Sequence, residues 1–421
     1  MRRWLSVLLI LFLSLVLAAC NSDSADDVTE IDFYFPVAVG GDIANLVDEL
    51  VADFEEENPD IKVNANFGGS YSETMTQVMA SVQGGNPPEL AVLFSIDLFT
   101  LLENDVIEEM TPLFGEDYFD DYYDAFMANS QVGDQVWSIP FQRSTIVLYY
   151  NKDKFKEAGL DPEQPPENWD ELVEYSKKLT TDDQWGLEIP STGYQYWMFQ
   201  ALALQTEGNI MSEDGKEVYF DAPHSKEAME YWLSLSQDHE VMPEGVIEWG
   251  TVPSDFLSGK TAMMYHTTGN LTNVKSNAEF DFGVSFLPAN EQYGSPTGGG
   301  NIYLFKDIPE KNREAAIKFI EFLTKPEQVA KWSIETGYVA TRESAYETEE
   351  LSSYVEEFPS ALVARDQLEY ADSELATYQN GEVQKIFNDA IQSVLTGQST
   401  VDEAFNDAQS KAEEVLAPFQ E

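Results

Sequence analysis

Ser258-Gly259-Lys260-Thr261 has the residue order in which a phosphate-cradling loop ends. A working loop of that kind needs a further glycine at position 254, and Ser254 stands there. The residues that follow read as a strand, whereas the motif requires a helix, so these four residues are not read as a nucleotide site. His224, His239 and His266 are scattered too widely for a zinc cluster or a catalytic triad. The chain holds no G-x-S-x-G elbow and no H-E-x-x-H helix. Its acids are so many that no two stand out as the carboxylate pair of a glycosidase. No catalytic residue, metal or cofactor is assigned from these residues.

The first residues address the chain to a membrane. Arg2 and Arg3 precede an apolar run from Leu5 to Leu17, which has signal-peptide length and is short for a span. Leu17-Ala18-Ala19-Cys20 then resembles a lipobox, in which small residues fit the processing peptidase and the cysteine thiol takes a diacylglycerol. Cys20 is the only cysteine, so no disulfide framework is available. Residues 1–20 read as a signal segment and 21–30 as a flexible, acidic tether. No later stretch is apolar enough to cross a bilayer.

Lys and Arg number 23 against 76 Asp and Glu, for a net charge of −53. A body this negative repels nucleic acid and anionic headgroups, which excludes nucleic-acid function. The acids are spread along the whole chain and read as a solvated surface suited to high salt. An anionic ligand would need a locally basic pocket.

The 421 residues are enough for two domains. Ile31 to Val37 reads as a strand, and Leu46, Val47, Leu50, Val51 and Phe54 share one helical face. Ile61 to Phe67 alternates as a strand, a second helix runs through Met75 to Val82, and Leu90 to Phe94 is a short buried strand. This βαβα order predicts an α/β fold with a parallel, helix-covered sheet. Thr145 to Tyr150, Phe282 to Leu287 and Ile302 to Phe305 are further strands. Asn168 to Leu179, Glu314 to Leu323, and two C-terminal runs beginning near Val383 and Val401 are helices.

Several blocks then converge on one family. Leu148-Tyr149-Tyr150-Asn151-Lys152-Asp153-Lys154-Phe155, Ala158-Gly159-Leu160, Phe256-Leu257-Ser258-Gly259-Lys260-Thr261-Ala262-Met263, Gly298-Gly299-Gly300-Asn301 and Thr336-Gly337-Tyr338 resemble the family 1 extracellular solute-binding proteins, the maltose- and glycerol-3-phosphate-binding lineage. The resemblance implies a two-lobed periplasmic-binding-protein-like α/β fold with several hinge crossings and a ligand cleft between the lobes. It places crossings near Thr111-Pro112, near Pro288 and near Thr324 to Pro326. The N-terminal lobe would then be 31–112 plus 289–324, and the C-terminal lobe 113–288 plus 325–421. It also implies a monomer, tethered through Cys20, that hands a sugar or a glycerol phosphate to ABC permease subunits.

Site residues follow from the same resemblance. Tyr71, Ser144, Trp197, Gly299, Gly300 and Tyr338 match binding positions of the glycerol-3-phosphate branch. Tyr194 replaces a tryptophan, and Thr267 and Thr268 replace a serine pair. Ser95 stands where the branch has a carboxylate. No arginine is found around Leu375 to Tyr378, where the branch has one for phosphate. Arg143 stands in place of a serine and suits bidentate capture of phosphate or carboxylate. The glycines of 298–300 are expected in a turn whose N–H groups approach an anion closely.

Overall fold

The computed structural model describes residues 28–40 and 42–420. Cys20, the signal segment and most of the tether lie outside the described residues. Strand β1 (Thr29–Phe35) is followed by α1 (Ile43–Glu57), β2 (Ile61–Phe67), α2 (Tyr71–Gln83) and β3 (Leu90–Phe94). Later come β4 (Ile139–Asn151), α3 (Trp169–Leu179), α4 (Gln195–Gln205), β5 (Met263–Thr267), β6 (Phe282–Ser285) and β7 (Ser295–Leu304). Helices α5 (Glu310–Leu323), α6 (Pro326–Thr336), α7 (Asn380–Leu395) and α8 (Val401–Leu416) complete the main elements. Among the described residues, no helix is long and apolar enough to cross a membrane.

Local chemistry fixes the helix starts. Ser70 accepts from the Glu73 N–H while Glu73 bonds back to Ser70, a reciprocal cap that places Tyr71 at the first turn of α2. Asn168 caps α3 through the Glu171 N–H. Thr400 and Glu403 form the same reciprocal cap on α8.

The sheet runs β2-β1-β3-β7-β4-β5, with β6 also paired to β4. Strands β2, β1 and β3 are mutually parallel, the short strand Ala371–Asp372 pairs parallel with Ser295–Pro296 of β7, and the joins β3–β7, β7–β4, β4–β5 and β4–β6 are antiparallel. The expected parallel sheet is thus limited to the βαβα start. Beyond it, β7 and β4 return alongside each other and need no crossover helix.

Two apolar cores flank the sheet's midpoint. In the first, Phe33, Leu50, Phe54 and Val92 pack with Phe319 and Ile320 of α5. The Phe54 and Phe319 rings are 4.9 Å apart. In the second, Ile146 to Tyr150 pack with Phe199, Trp232, Phe387 and Phe405. All thirteen residues of β4 are buried. Ile139 and Phe141 at its start belong to the first core, and Ile146 to Tyr150 belong to the second. Tyr122, Met127 and Val136 also pack in the first core, beyond the boundary expected at 112. The chain therefore passes from one core to the other inside a continuous strand, which no loop signal in the sequence marks.

Candidate functional site

A gap of ≈ 340 Å³ opens between the two cores, partly to solvent. Ala38, Val39, Tyr71 and Phe94 line it from the first side. Tyr194, Trp197, Trp249, Thr267 and Glu374 line it from the second, with Ser144, Gly299 and Tyr338 between. Phe94 ends β3, and the gap lies where ligands collect in open α/β sheets, beyond the strand carboxyl ends.

Each ring is held. Tyr71 stacks on Phe94 with centroids 3.9 Å apart, and its hydroxyl donates to Gln142 Oε1 at 2.9 Å. Trp197 donates from Nε1 to the Thr297 carbonyl at 2.8 Å. Trp249 meets Tyr194 edge-on at 4.6 Å and lies 4.1 Å from the His266 ring. Tyr338 follows Gly337, whose φ of 89° ends α6, and Trp332 stacks behind it at 6.3 Å. Burial pushes the Tyr71 and Tyr338 hydroxyls up and Tyr194 to about 12, so all three stay neutral donors.

The glycines serve the rings. They lie within β7, not in the expected anion-binding turn, because the strand begins seven residues earlier than the Ile302 run suggested. A Cβ on Gly298 would sit 2.5 Å from the Trp197 ring, and one on Gly300 2.8 Å from Tyr71. Gly299, at φ +103°, would press a Cβ into the Gln142 carbonyl at 1.8 Å.

Of the residues the resemblance selected, Tyr71, Ser144, Tyr194, Trp197, Thr267, Gly299 and Tyr338 line the gap, while Ser95, Arg143, Thr268 and Gly300 do not. Ser95 is fully buried beneath Phe94, its hydroxyl without a partner. Thr268 turns to the Thr145 backbone. Gly300 pairs with Phe94 in the sheet. Arg143 alternates with Ser144 on β4 and so points to the opposite face. Its guanidinium donates to the Gly299 carbonyl, Asn301 Oδ1 and Thr297 Oγ1, all uncharged, and it lies over the Phe126 ring. Burial lowers its pKa to about 10, leaving it a cation at neutral pH, and Glu374 opposes that shift through space.

Glu374, Phe94 and Trp249 are lining residues the resemblance did not select. Glu374 is 2% exposed and lies just past Ala371–Asp372, which pair with Ser295–Pro296. Asn129 grips its backbone twice, accepting from the Glu374 N–H at 2.9 Å and donating to its carbonyl at 3.1 Å. Gln200 does the same for the residues on either side, Ser373 and Leu375. Tyr196 donates its hydroxyl to Glu374 Oε1 at 2.6 Å, and Oε2 has no partner. Burial raises the Glu374 pKa to about 7, against the Tyr196 bond and Arg143, while Asp97 pushes it further up. Asp97, in the turn Ser95–Asp97, is also raised to about 7 by desolvation of its carboxyl, although the residue keeps some exposed surface. Among the described residues no Lys, Arg or His lines the gap, and His266 behind Trp249 is held neutral by burial, with its pKa lowered to about 3. Among the described residues no cluster of His, Cys, Asp and Glu could hold a metal.

A ring-walled gap lies between two α/β cores, and the family profile described as bacterial extracellular solute-binding protein matches residues 49–359. The chain belongs to that family and works outside the cytoplasm. It is 26% identical over 434 residues to the sn-glycerol-3-phosphate-binding periplasmic protein UgpB of Shigella flexneri serotype 5b, with 97% of each chain covered. The UgpB of Escherichia coli K12 is similar to the same extent. Among solved structures, UgpB from Mycobacterium tuberculosis in complex with glycerophosphocholine superposes with a TM-score of 0.82 at 24% identity, covering 93% of this chain and 99% of that one. The cyclic alpha-maltosyl-1,6-maltose binding protein from Arthrobacter globiformis superposes at 0.80 and 24% identity, covering 93% and 100%.

Proposed function

We propose that the protein is the solute-capturing component of an ABC importer, tethered to the cell membrane through lipidated Cys20, and that it takes a small polar solute of the carbohydrate or glycerol-phosphate type. The observation that supports this most is the gap itself. Its walls come from both cores, its rings offer flat apolar faces, and its few polar groups converge from different elements. Rotation of one core against the other would shut those walls on the solute and exclude water. Tyr71, Ser144, Tyr194, Trp197, Thr267, Gly299 and Tyr338 contact the ligand in this reading. Arg143 is not its anion clamp, and Ser95, Thr268 and Gly300 support the walls from behind.

Binding without turnover fits the site better than a lipid-anchored glycan hydrolase. A hydrolase of that kind places two carboxylates across the scissile bond. Only Glu374 lines the gap, and Asp97 lies outside its lining.

Thermal unfolding of the mature chain against glycerol phosphates, glycerophosphodiesters and oligosaccharides tests the reading. A ligand at about 100 times its Kd adds about 2.7 kcal/mol to the stability of the native state. At least one class should raise the melting point and be recovered unaltered. A flat response across all classes, or turnover of the bound compound, defeats the proposal. Fractionation of cells carrying Cys20→Ala should release the protein from the membrane.

A further inference from the structure

We infer that the helix Leu98–Glu103 carries a latch between the cores, in which Phe99 and Glu103 grip the chain at the start of α7 and hold the cores closed over the gap. The inference goes beyond the import reading and concerns the protein before any solute is present.

Three observations carry it. First, one short stretch of chain belongs to both sides. It follows Phe94, a wall of the gap, and its Leu98 and Leu101 pack with Val78 of α2 and Leu93 of β3. Ile96 and Phe99 turn the other way and join the second core. Second, Phe99 fills a slot shaped for it. Its ring lies 4.8 Å from Tyr378, which stacks in turn on Phe419 at 4.6 Å. A Cβ on Gly215 would come within 2.9 Å of the Phe99 ring and of the Ala376 carbonyl, so glycine keeps the slot open there. Third, Glu103 takes both donors of Gln379. Its carboxylate accepts the Gln379 N–H at 3.1 Å and the side-chain amide at 2.6 Å. Gln379 holds φ +49°, a left-handed backbone that a residue with a Cβ keeps when its surroundings impose it. It stands at the N-cap of α7 with no side-chain bond of its own to the helix. The acid beside this helix start therefore comes from the other core, and the helix dipole favours negative charge there. Glu103 and Gln379 are both exposed, so their bonds add little to the stability of either core. They exist only while the cores meet, so what they contribute falls on the balance between closed and open forms. Phe99, 6% exposed, adds apolar surface that opening would return to water.

The chain from Asn21 onward has no cysteine, so spin labels at Gln83→Cys on α2 and Gln392→Cys on α7 report one distance between the cores. Both positions are exposed. Pulsed electron double resonance on the solute-free protein reads the closed and open populations. Glu103→Ala should lower the closed-to-open ratio by about threefold or more, and Phe99→Ala by about tenfold or more. Glu103→Gln, which keeps an acceptor oxygen, should fall between Glu103→Ala and the parent. Gln379→Gly separates a latch from a local support. Relief of the left-handed backbone should raise its melting temperature, while loss of the side-chain donor should lower its closed population. Where Phe99→Ala fails to fold, the two exposed positions decide alone. An unchanged distance distribution in Glu103→Ala or in Gln379→Gly overturns the inference, whatever the melting temperature does. A shift toward the closed form in either variant overturns it as well. The import reading is tested separately, by the ligand panel above.

Discussion

Two hollows in this molecule share one short stretch of chain. Asp372 and Ser373 face an outer hollow of ≈ 1250 Å³, together with Glu213, Asp214, Lys216 and Glu217. Glu374, immediately after them, faces the gap of ≈ 340 Å³. The outer hollow is larger and richer in acids, yet Glu213, Asp214, Glu217 and Asp372 are all exposed there. Water already solvates them, so a ligand gains little by replacing it. Glu374 has lost its water, has rings around it and keeps one oxygen unanswered. Size and charge count favour the outer hollow, and burial favours the inner gap. An acid reports a binding site when burial has removed its solvent and the fold still withholds a partner.

Exchanging the two acids should break or sharpen that contrast most. Glu374→Gln is expected to weaken the bound solute by about tenfold or more, because a charged partner is lost from a desolvated site, while Asp372→Asn stays within about twofold. Calorimetric titration of both variants decides it, and equal effects would erase the distinction between the hollows. The glycines beneath the rings come next. Gly298→Ala should displace Trp197, cost about 1–3 kcal/mol and weaken binding, whereas Gly381→Ala, with open space around it, should be neutral or slightly stabilising. Denaturant midpoints give the stability part. Asn129→Ala removes both grips on the Glu374 backbone and should cost about 1–3 kcal/mol, chiefly by leaving buried backbone groups unpaired.

The pH response is smaller and has a fixed sign. Burial raises Glu374 from 4.5 to about 7, so the folded protein holds that proton more tightly than the unfolded chain. This contribution to stability is complete below the ordinary carboxylate pKa and is lost as pH rises through about 7. The groups that face Glu374 are Arg143, which opposes the shift, Asp97, which adds to it, and Tyr196 and Tyr194. The melting temperature of the unliganded protein should fall between pH 5 and pH 8, and Glu374→Gln should flatten part of that fall, with the remainder belonging to Asp97. The smallest effect belongs to the outer hollow. Asp214→Asn should shift stability by less than about 0.5 kcal/mol and only at low salt.

The elements were largely legible in the sequence because they rest on local signals. Alternation marks β2, and Asn168 and Thr400 announce their helices by side-chain chemistry. The antiparallel half of the sheet was not legible, because a fully buried strand such as β4 carries no alternation to show its partners or direction. The rings of the gap could be placed only through family likeness. A tyrosine or tryptophan in isolation reads the same in a core as in a wall. Arg143 and Ser144 show how fine the distinction is, since one step along a strand sends one side chain behind the site and the other into it. Glu374 was invisible among 76 acids, because what sets it apart is the enclosure made by Asn129, Tyr196 and Gln200 from distant parts of the chain.

The strand that runs through both cores has a mechanical consequence. β4 and β7 lie side by side, and β4 carries an irregularity between Pro140 and Gln142, opposite the part of β7 that holds Gly299 and Gly300. Motion between the cores would bend this patch of ladder, where a register irregularity and a backbone without Cβ atoms make the ribbon compliant. The Trp197 and Tyr71 rings rest against the glycines of that same patch. Whatever fills the gap therefore presses on the spring itself, and stiffening the patch would slow both entry and release of the solute while leaving the equilibrium between them nearly unmoved.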